Sequence, residues 1–418
     1  MTESTLKSIS PDSITGMIFA LEGMGNTVVL LNGPMGCRFY HSTTSQYLMI
    51  RPVLYLPDGS NGEKAPVDYN TLNDWFFRQE RVPCTYLDGY DYVYSTKDKV
   101  SAAIDYITAN IDFDIICIIN SPGAALIGDN LLELAREKLG SKRVVMLESS
   151  GYSLDLEYGL SYGMLSLMKQ VGAPLWEGKK YGGREKERRS VNLLGPSIWH
   201  RYIQGDLEEL RRILGLCDID VNAVPCAGCS FEEFERIPEA DLNVVLYPES
   251  GLESAEYLKE LLGMPYYLCD SLPIGFSAAE KMVGDICSIL GRKSDVFMEE
   301  SERARALAWH KIRDISQAYG KPRGVRFFVR GSRSLEKAYT EFLRDYLGME
   351  LSDAEHAELV FSDANVISEL MLKNKTFCGI EVSLPGMGYT DLVPKTHMGI
   401  KGSLFLIEQV LNGLMSRI

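Results

Sequence analysis

"NTVVLLNGPMGCRFYHS", residues 26–42, runs from an unbroken apolar strand into Gly-Pro-Met-Gly and then presents Cys37. A strand with no polar alternation is buried on both faces, which is the habit of helix-covered parallel sheets rather than of half-exposed antiparallel ones. The same kind of run recurs in "DIICIINSPG", "RVVMLESSG", "VNLLG", "LNVVLYPESG", "VRFFVRG" and "AELVFSDA", each closed by Gly, Pro, Ser or Asn. Between the runs, "TKDKVSAAIDYITANI", "GDLEELRRILGL", "GLESAEYLKELLG" and "SLEKAYTEFLRDYLG" space their apolar residues as helices do. Strand and helix in alternation give an α/β fold of doubly wound units. In open parallel sheets ligands gather outside the carboxyl ends of the strands, so the chemistry is expected in the Gly- and Pro-rich loops.

A length of 418 residues accommodates about three domains of roughly 150 residues. The charged, glycine-rich "EGKKYGGREKERRS", residues 177–190, precedes a fresh strand and marks the first boundary. Its basic cluster reads either as a solvated linker or as a docking patch. The helical "MEESERARALAWHKIRDISQAYGKPRG" leads to a third unit whose first strand starts near Val325. The expected division is 1–186, 187–298 and 299–418, the last closing on a C-terminal helix.

Acidic residues outnumber basic ones by 57 to 43, and the net charge of −14 argues against nucleic acid or an anionic membrane as partner. The opening "MTESTLKSISPDSITGM" has early charges and no apolar core of signal length. No later run approaches the ~18 apolar residues of a membrane span, so a cytoplasmic location is expected. In that reducing compartment the nine cysteines are core residues or metal or redox ligands rather than disulfides. The chain has no GxxxxGK(S/T) loop and no GxGxxG after a strand, which leaves any nucleotide hydrolysis to another protein.

Cys37 follows a strand and a tight turn, and the residues after it are able to open a helix. A helix N-terminus stabilises a thiolate, and Gly33 and Gly36 allow the backbone to approach a metal cluster and supply N–H groups to sulfur. A buried cysteine after a tight turn is the competing reading. His41 would share the helix face of Cys37, as support for it or as a plain surface histidine. Cys84 lies in "RVPCTYLDGYDYVYST", where "DYVYS" is expected as a strand and Ser95 or Thr96 as the cap of the next helix. Cys117 sits inside a strand, and Cys217, Cys269, Cys287 and Cys378 sit in apolar contexts, where packing is the default. Cys226 and Cys229 form a lone CxxC just past a strand end, with neither the second pair of a zinc site nor a thioredoxin-like setting.

Taken together, "LLNGPMGCRFY", "RVPCTYLDGYDYVYST" and "INSPGAALIGDN" resemble, in order and spacing, the first domain of nitrogenase component 1 and its relatives. "LESSGY", "DLEELRRILGL", "EADLNVVLYPESG", "MPYYLCDSLPIGFSAAE" and "THMGIKGSLFLIEQVLNGL" extend the likeness over nearly the whole chain. The resemblance implies three Rossmann-like domains, an identical or homologous partner subunit, an iron–sulfur cluster where the two meet, and electrons from a separate ATP-hydrolysing iron protein. Cys37 and Cys84 match the family's first two cluster ligands. The third is missing, because the chain reads Asn120-Ser121-Pro122-Gly123 there, which puts the equivalent position at Ser121 or Pro122 and leaves Ser121 as an oxygen ligand or a turn residue. Two thiolates per chain, doubled by a two-fold axis, make the set of an ordinary 4Fe–4S cluster.

A second departure follows "LNVVL", where the cofactor-bearing subunit of nitrogenase places a cysteine and this chain has Tyr247-Pro248-Glu249. An iron–molybdenum type cofactor is therefore not expected. The resemblance implies instead a nitrogenase-like reductase acting on an organic substrate, tetrapyrroles among them. Its candidate catalytic acids are His397, Glu148 and Glu249, and its candidate pocket-lining residues are Cys226 and Cys229. Each of these also reads as a structural group at a strand end. A non-catalytic partner or cofactor-assembly scaffold of the same fold is the alternative, and a metal-free Rossmann-type binding protein is a third.

Overall fold

The computed structural model describes residues 11–34, 55–57, 64–66, 82–140, 142–148, 154–181, 188–373, 375–384, 391 and 393–415. Cys37, Gly36 and His41 lie outside this set. The chain divides into two compact units, one holding the described residues up to 179 together with 223–238, the other holding 180–222 and the residues from 239 onward.

In the first unit the opening strand is β1 (Thr27–Asn32), and all six of its residues are buried. A short antiparallel pair follows, β2 (Tyr55–Pro57) and β3 (Lys64–Pro66). Next come β4 (Ile115–Asn120), again wholly buried, and β5 (Arg143–Glu148). The order β1-β4-β5 is parallel throughout, in a register that aligns Asn32 with Asn120 and Asn120 with Glu148. Two-residue alternation splits the sheet. Val28, Leu30, Ile116 and Ile118 face a core shared with helices Lys97–Asn110 and Leu131–Leu139.

Helices Ser13–Glu22 and Leu156–Leu167 cover the same sheet and cross one another through small residues spaced four apart. A Cβ on Gly16 would lie 2.2 Å from the Leu156 carbonyl oxygen, one on Gly159 would lie 2.1 Å from the Ser13 carbonyl oxygen, and one on Gly163 would lie 2.8 Å from Ala20 Cβ. The two backbones are therefore in contact along Gly16/Ala20 and Gly159/Gly163, the small-xxx-small device that brings helix axes together. Asp12 and Asp155 start these helices by accepting from the N–H groups of Thr15 (3.0 Å) and Tyr158 (2.9 Å).

The second unit holds two sheets. One contains β6 (Arg189–Leu194), β7 (Ile219–Ala223), β8 (Leu242–Val245) and β9 (Tyr266–Leu268) in the order β7-β6-β8-β9. The other contains β10 (Arg326–Val329), β11 (Glu350–Leu351), β12 (Leu359–Ser362) and β13 (Cys378–Glu381) in the order β11-β10-β12-β13, all parallel. Helix Asp295–Tyr319 stands between the two sheets in sequence, and helix Gly399–Met415 closes the unit. No helix among the described residues is long and apolar enough to cross a membrane.

One sequence expectation is revised. The stretch expected as strand "DYVYS" instead contributes to a short helix, Gly89–Val93. Its alternating Tyr and Val suit a strand, but the Asp88 carboxylate takes the N–H groups of Tyr90 (2.8 Å) and Asp91 (3.2 Å) while Asp91 takes the N–H of Asp88 (2.7 Å). This capping box decides the local conformation. Residues 223–238, which carry the CxxC, pack with the first unit rather than with the strands on either side of them.

Candidate functional site

β1 and β4 both end in asparagine, and the carboxyl edge of the first sheet is built around that pair. The Asn32 side chain is fully buried; its amide donates to Asn120 Oδ1 (2.9 Å) and Thr96 Oγ1 (3.0 Å), and its oxygen accepts from Thr85 Oγ1 (2.9 Å). Thr85 Oγ1 in turn accepts the N–H of Gly33 at 3.1 Å. Thr96 is fixed from the other side, because Asp129 Oδ2 accepts its N–H (2.6 Å) and its hydroxyl (2.9 Å). Burial alone would raise the Asp129 pKa, but the bonds from Thr96 and from Ser95 outweigh it and hold the carboxyl below its ordinary value. Asn32 and Gly33 are thus pinned by a chain of side-chain hydrogen bonds.

Cys84 rides on this frame. Leu31 donates its N–H to the Pro83 carbonyl (2.9 Å) and accepts the N–H of Thr85 (3.1 Å), so residue 84 lies beside Leu31 as one rung of a parallel ladder. The peptides on both sides of Cys84 are held, and its side chain, 8% exposed, borders a hollow formed with Ala103, Tyr106 and Ile107. Ser121 donates its N–H to the Asn32 carbonyl (2.9 Å), and its hydroxyl is buried without a hydrogen-bond partner among the described residues. A Cβ on Gly33 would come within 2.8 Å of that hydroxyl. Glu148 is exposed at the end of β5, in register with Asn120. The structure therefore brings Gly33, Cys84, Ser121 and Glu148 to one sheet edge.

That edge is flanked by exposed apolar side chains. Tyr90, Val93 and Tyr94 are 69%, 71% and 67% exposed, and Leu126 is 89% exposed. The turn carrying Leu126 abuts the short helix, because a Cβ on Gly123 would lie 2.8 Å from the Tyr92 ring.

Cys226 and Cys229 are not part of this edge. Gly25 donates to the Cys229 carbonyl (2.8 Å), Gly228 donates to the Gly23 carbonyl (2.7 Å), and Met24 bridges Cys229. The CxxC is thus buried at the amino end of β1, where Cys229 pairs with Met24, whereas Cys84 pairs with Leu31 near the carboxyl end. Burial, then the neighbouring Cys229 and Cys117, push the Cys226 thiol well above its ordinary value. Cys117, Cys217, Cys269 and Cys287 are buried too, and burial raises Cys269 to about 12. Among the described residues, no three His, Cys, Asp or Glu side chains converge as a metal site.

His397 and Glu249 belong to the second unit. Glu249 accepts the N–H (3.2 Å) and hydroxyl (2.5 Å) of Ser334 at the N-terminus of helix Arg333–Glu341, where a carboxylate is stabilised. His397 is 2% exposed; its Nδ1 lies 3.0 Å from Tyr339 Oη, and its Nε2 lies 3.1 Å from Asp206 Oδ2 without the alignment of a hydrogen bond. Nearby, the His200 ring stacks on Tyr247 at 3.8 Å and accepts the Ser197 N–H at Nδ1 (3.0 Å). Arg201 is buried between Glu381 and Asp391.

Burial above all, with His397 adding to it and Asp206 opposing, pushes His200 down to about 3. An unfolded chain takes up this proton near pH ~6.5. The folded chain does not do so until far lower pH, so the His200 contribution is complete only above pH ~6.5. The contribution falls as the pH drops towards 3, by about 1.4 kcal/mol per pH unit. His200→Asn, whose Oδ1 accepts the same N–H, is expected to flatten this slope in urea titrations run from pH 7 down to 4. An unchanged slope would assign the acid sensitivity to other groups.

A family model described as nitrogenase component 1 type oxidoreductase matches residues 13–354. A light-independent protochlorophyllide reductase subunit from Synechococcus sp. (strain CC9311) is 29% identical over 285 residues, 66% of this chain and 53% of that protein. The subunit of the same name from Halorhodospira halophila (strain DSM 244 / SL1) is 30% identical over 241 residues, 55% of this chain and 44% of that protein. The chain spans about half the length of these curated relatives. A solved structure of nitrogenase Cp1 at pH 6.5 superposes with a TM-score of 0.72 at 15% identity, covering 98% of this chain and 92% of the other. At that identity the likeness concerns the fold.

Proposed function

The chain belongs to the nitrogenase component 1 type oxidoreductases, and on that footing we propose that it is the catalytic-component subunit of a nitrogenase-like reductase. The observation that carries the reading is the carboxyl edge of the first sheet, where Cys84 is held beside Leu31 by the peptides on either side of it, and where the Ser121 hydroxyl, which has no partner among the described residues, lies against Gly33. A buried polar atom without a partner is rare and calls for something to meet it. These residues fit an iron–sulfur cluster, with Cys84 and Cys37 of two protomers as its thiolate ligands. When bound, the cluster supplies one-electron transfer.

The chain's own residues do the rest. The Asn32–Thr85–Thr96–Asp129 network holds the Cys84 loop still. Ser121 offers its hydroxyl as a hydrogen-bond donor. Glu148, exposed on the same edge, is placed to exchange protons with solvent. Tyr90, Val93, Tyr94 and Leu126 present the apolar surface that a homologous subunit would cover. Electrons come from an ATP-hydrolysing iron protein. The substrate is an organic molecule of the tetrapyrrole class, in line with the names of the relatives. No iron–molybdenum type cofactor is proposed, since Tyr247-Pro248-Glu249 follow the strand after which the resemblance implies a cysteine.

Anaerobic protein mixed with an iron protein, ATP and protochlorophyllide tests the reading. ATP-dependent reduction of the ring, followed by absorbance, is the expected result. Oxidation of the cluster without turnover of any tetrapyrrole would assign the chain to the scaffold role instead, and no redox change at all would overturn both.

A further inference from the structure

Leu31 and the Asn32 side chain fix the Cys84 loop at residues 83–85. Immediately beyond, the backbone takes a costly turn. Tyr86 adopts a left-handed conformation (φ +52°), which residues with a Cβ avoid and which persists only where the surroundings impose it. Its carbonyl accepts from Lys99 Nζ (3.1 Å), and the same ammonium reaches Asp88 Oδ2 (3.2 Å) and Asp91 Oδ2 (2.5 Å). One cation therefore gathers three points of the segment that leaves Cys84.

Helix Lys97–Asn110 puts Lys99 in this place. Residues 99, 103, 106 and 107 share one face at helical spacing. Ala103, Tyr106 and Ile107 border the hollow beside Cys84, and Lys99 is the charged member of the set. Val100 and Ile104 anchor the helix in the core under β1 and β4, so Lys99 reaches out from a fixed base. The partners it holds are structural in turn. Asp88 and Asp91 form the capping box of helix Gly89–Val93, and Asp91 is buried. Hydrogen bonds to charged groups are stronger than neutral ones, and without the ammonium the buried Asp91 carboxylate would lose its cation.

On the reading of Cys84 as a cluster ligand, we infer that Lys99 is the residue that positions it. By holding the Tyr86 carbonyl and the Asp88/Asp91 pair, Lys99 keeps Tyr86 left-handed and closes the exit of the loop. The Cys84 sulfur is then held from both sides, by the Asn32 and Leu31 contacts before it and by the ammonium after it.

The full-length protein, purified without oxygen, tests this through two rates. One is iron release to bathophenanthroline disulfonate; the other is alkylation of Cys84 by iodoacetamide, read by peptide mass spectrometry with the fully buried Cys117 as reference. Lys99→Met keeps the aliphatic stem and removes the donor. Both rates are expected to rise about tenfold, the equivalent of one hydrogen bond to a charged group, with Cys117 unchanged and with Lys99→Arg restoring the slow rates. Unchanged rates in Lys99→Met overturn the inference. So does equal acceleration at Cys84 and Cys117, which would make Lys99 a support of the fold as a whole. A protein that holds no iron, yet alkylates faster at Cys84 alone in Lys99→Met, would sink the cluster reading and leave the clamp on the loop standing.

Discussion

Cys84→Ala, purified without oxygen, is expected to carry essentially no iron while remaining folded. In a pair of identical protomers the substitution removes two of the four thiolates at once, which an iron–sulfur cluster does not survive. The fold should tolerate it, because the loop is held by backbone bonds from residues 83 and 85 and by the Thr85 and Asn32 side chains, none of which uses the sulfur. Alanine is the right replacement, since serine could ligate through oxygen. Cys217→Ala and Cys287→Ala, at sites 2% exposed and remote in sequence from the edge, should lose only packing free energy, about 1–3 kcal/mol. Iron analysis together with circular dichroism reads both effects. Equal iron loss from all these variants would remove the special status of Cys84.

Gly159→Leu is expected to abolish the folded first unit. Even a bare Cβ there would lie 2.1 Å from the Ser13 carbonyl oxygen and 2.9 Å from Gly16 Cα, both of them backbone atoms that no side-chain rotation can move. The helices would have to separate, and the apolar residues that Ser13–Glu22 buries, Ile14, Met17, Ile18 and Leu21 among them, would lose their packing. A loss above about 4 kcal/mol is the scale for such a backbone clash. Gly89→Ala is the matched control, because nothing lies within 4 Å of a Cβ at that position, and a change within about 0.5 kcal/mol is expected. Urea denaturation of the two variants compares them, and a Gly159→Leu protein as stable as the control would mean that the helices do not cross as described.

The strands and most helices are legible in the sequence because their signals are local. Wholly buried runs such as β1 and β4 show as unbroken apolar sequence, and helix Lys97–Asn110 shows as a 3.6-residue period. The Gly89–Val93 helix reads as a strand because Tyr and Val favour strands, while the Asp88/Asp91 pair that sets its conformation occupies only two positions. At the sheet edge, Gly33, Cys84, Ser121 and Glu148 stand out by their motifs, whereas the residues that fix them do not. Asn32 and Asn120 are detectable in principle, as asparagines ending two apolar strands at matching positions, and Asp129 stands in the quoted "LIGDN" motif. The placing of the CxxC is beyond such reading. Cys226 adopts a left-handed backbone (φ +66°) and its segment pairs with residues 23–25, a contact set by tertiary packing that no short-range pattern encodes.

The central claim is that the Cys37 and Cys84 thiolates of paired protomers hold an iron–sulfur cluster. Anaerobic purification of the unaltered chain, followed by iron and acid-labile sulfide analysis and electron paramagnetic resonance of the dithionite-reduced protein, tests it most directly. The account predicts a brown protein with about four irons and four sulfides per pair of protomers and a paramagnetic signal that appears on reduction. A colourless, iron-free and spectroscopically silent protein, made anaerobically with iron supplied, would contradict it.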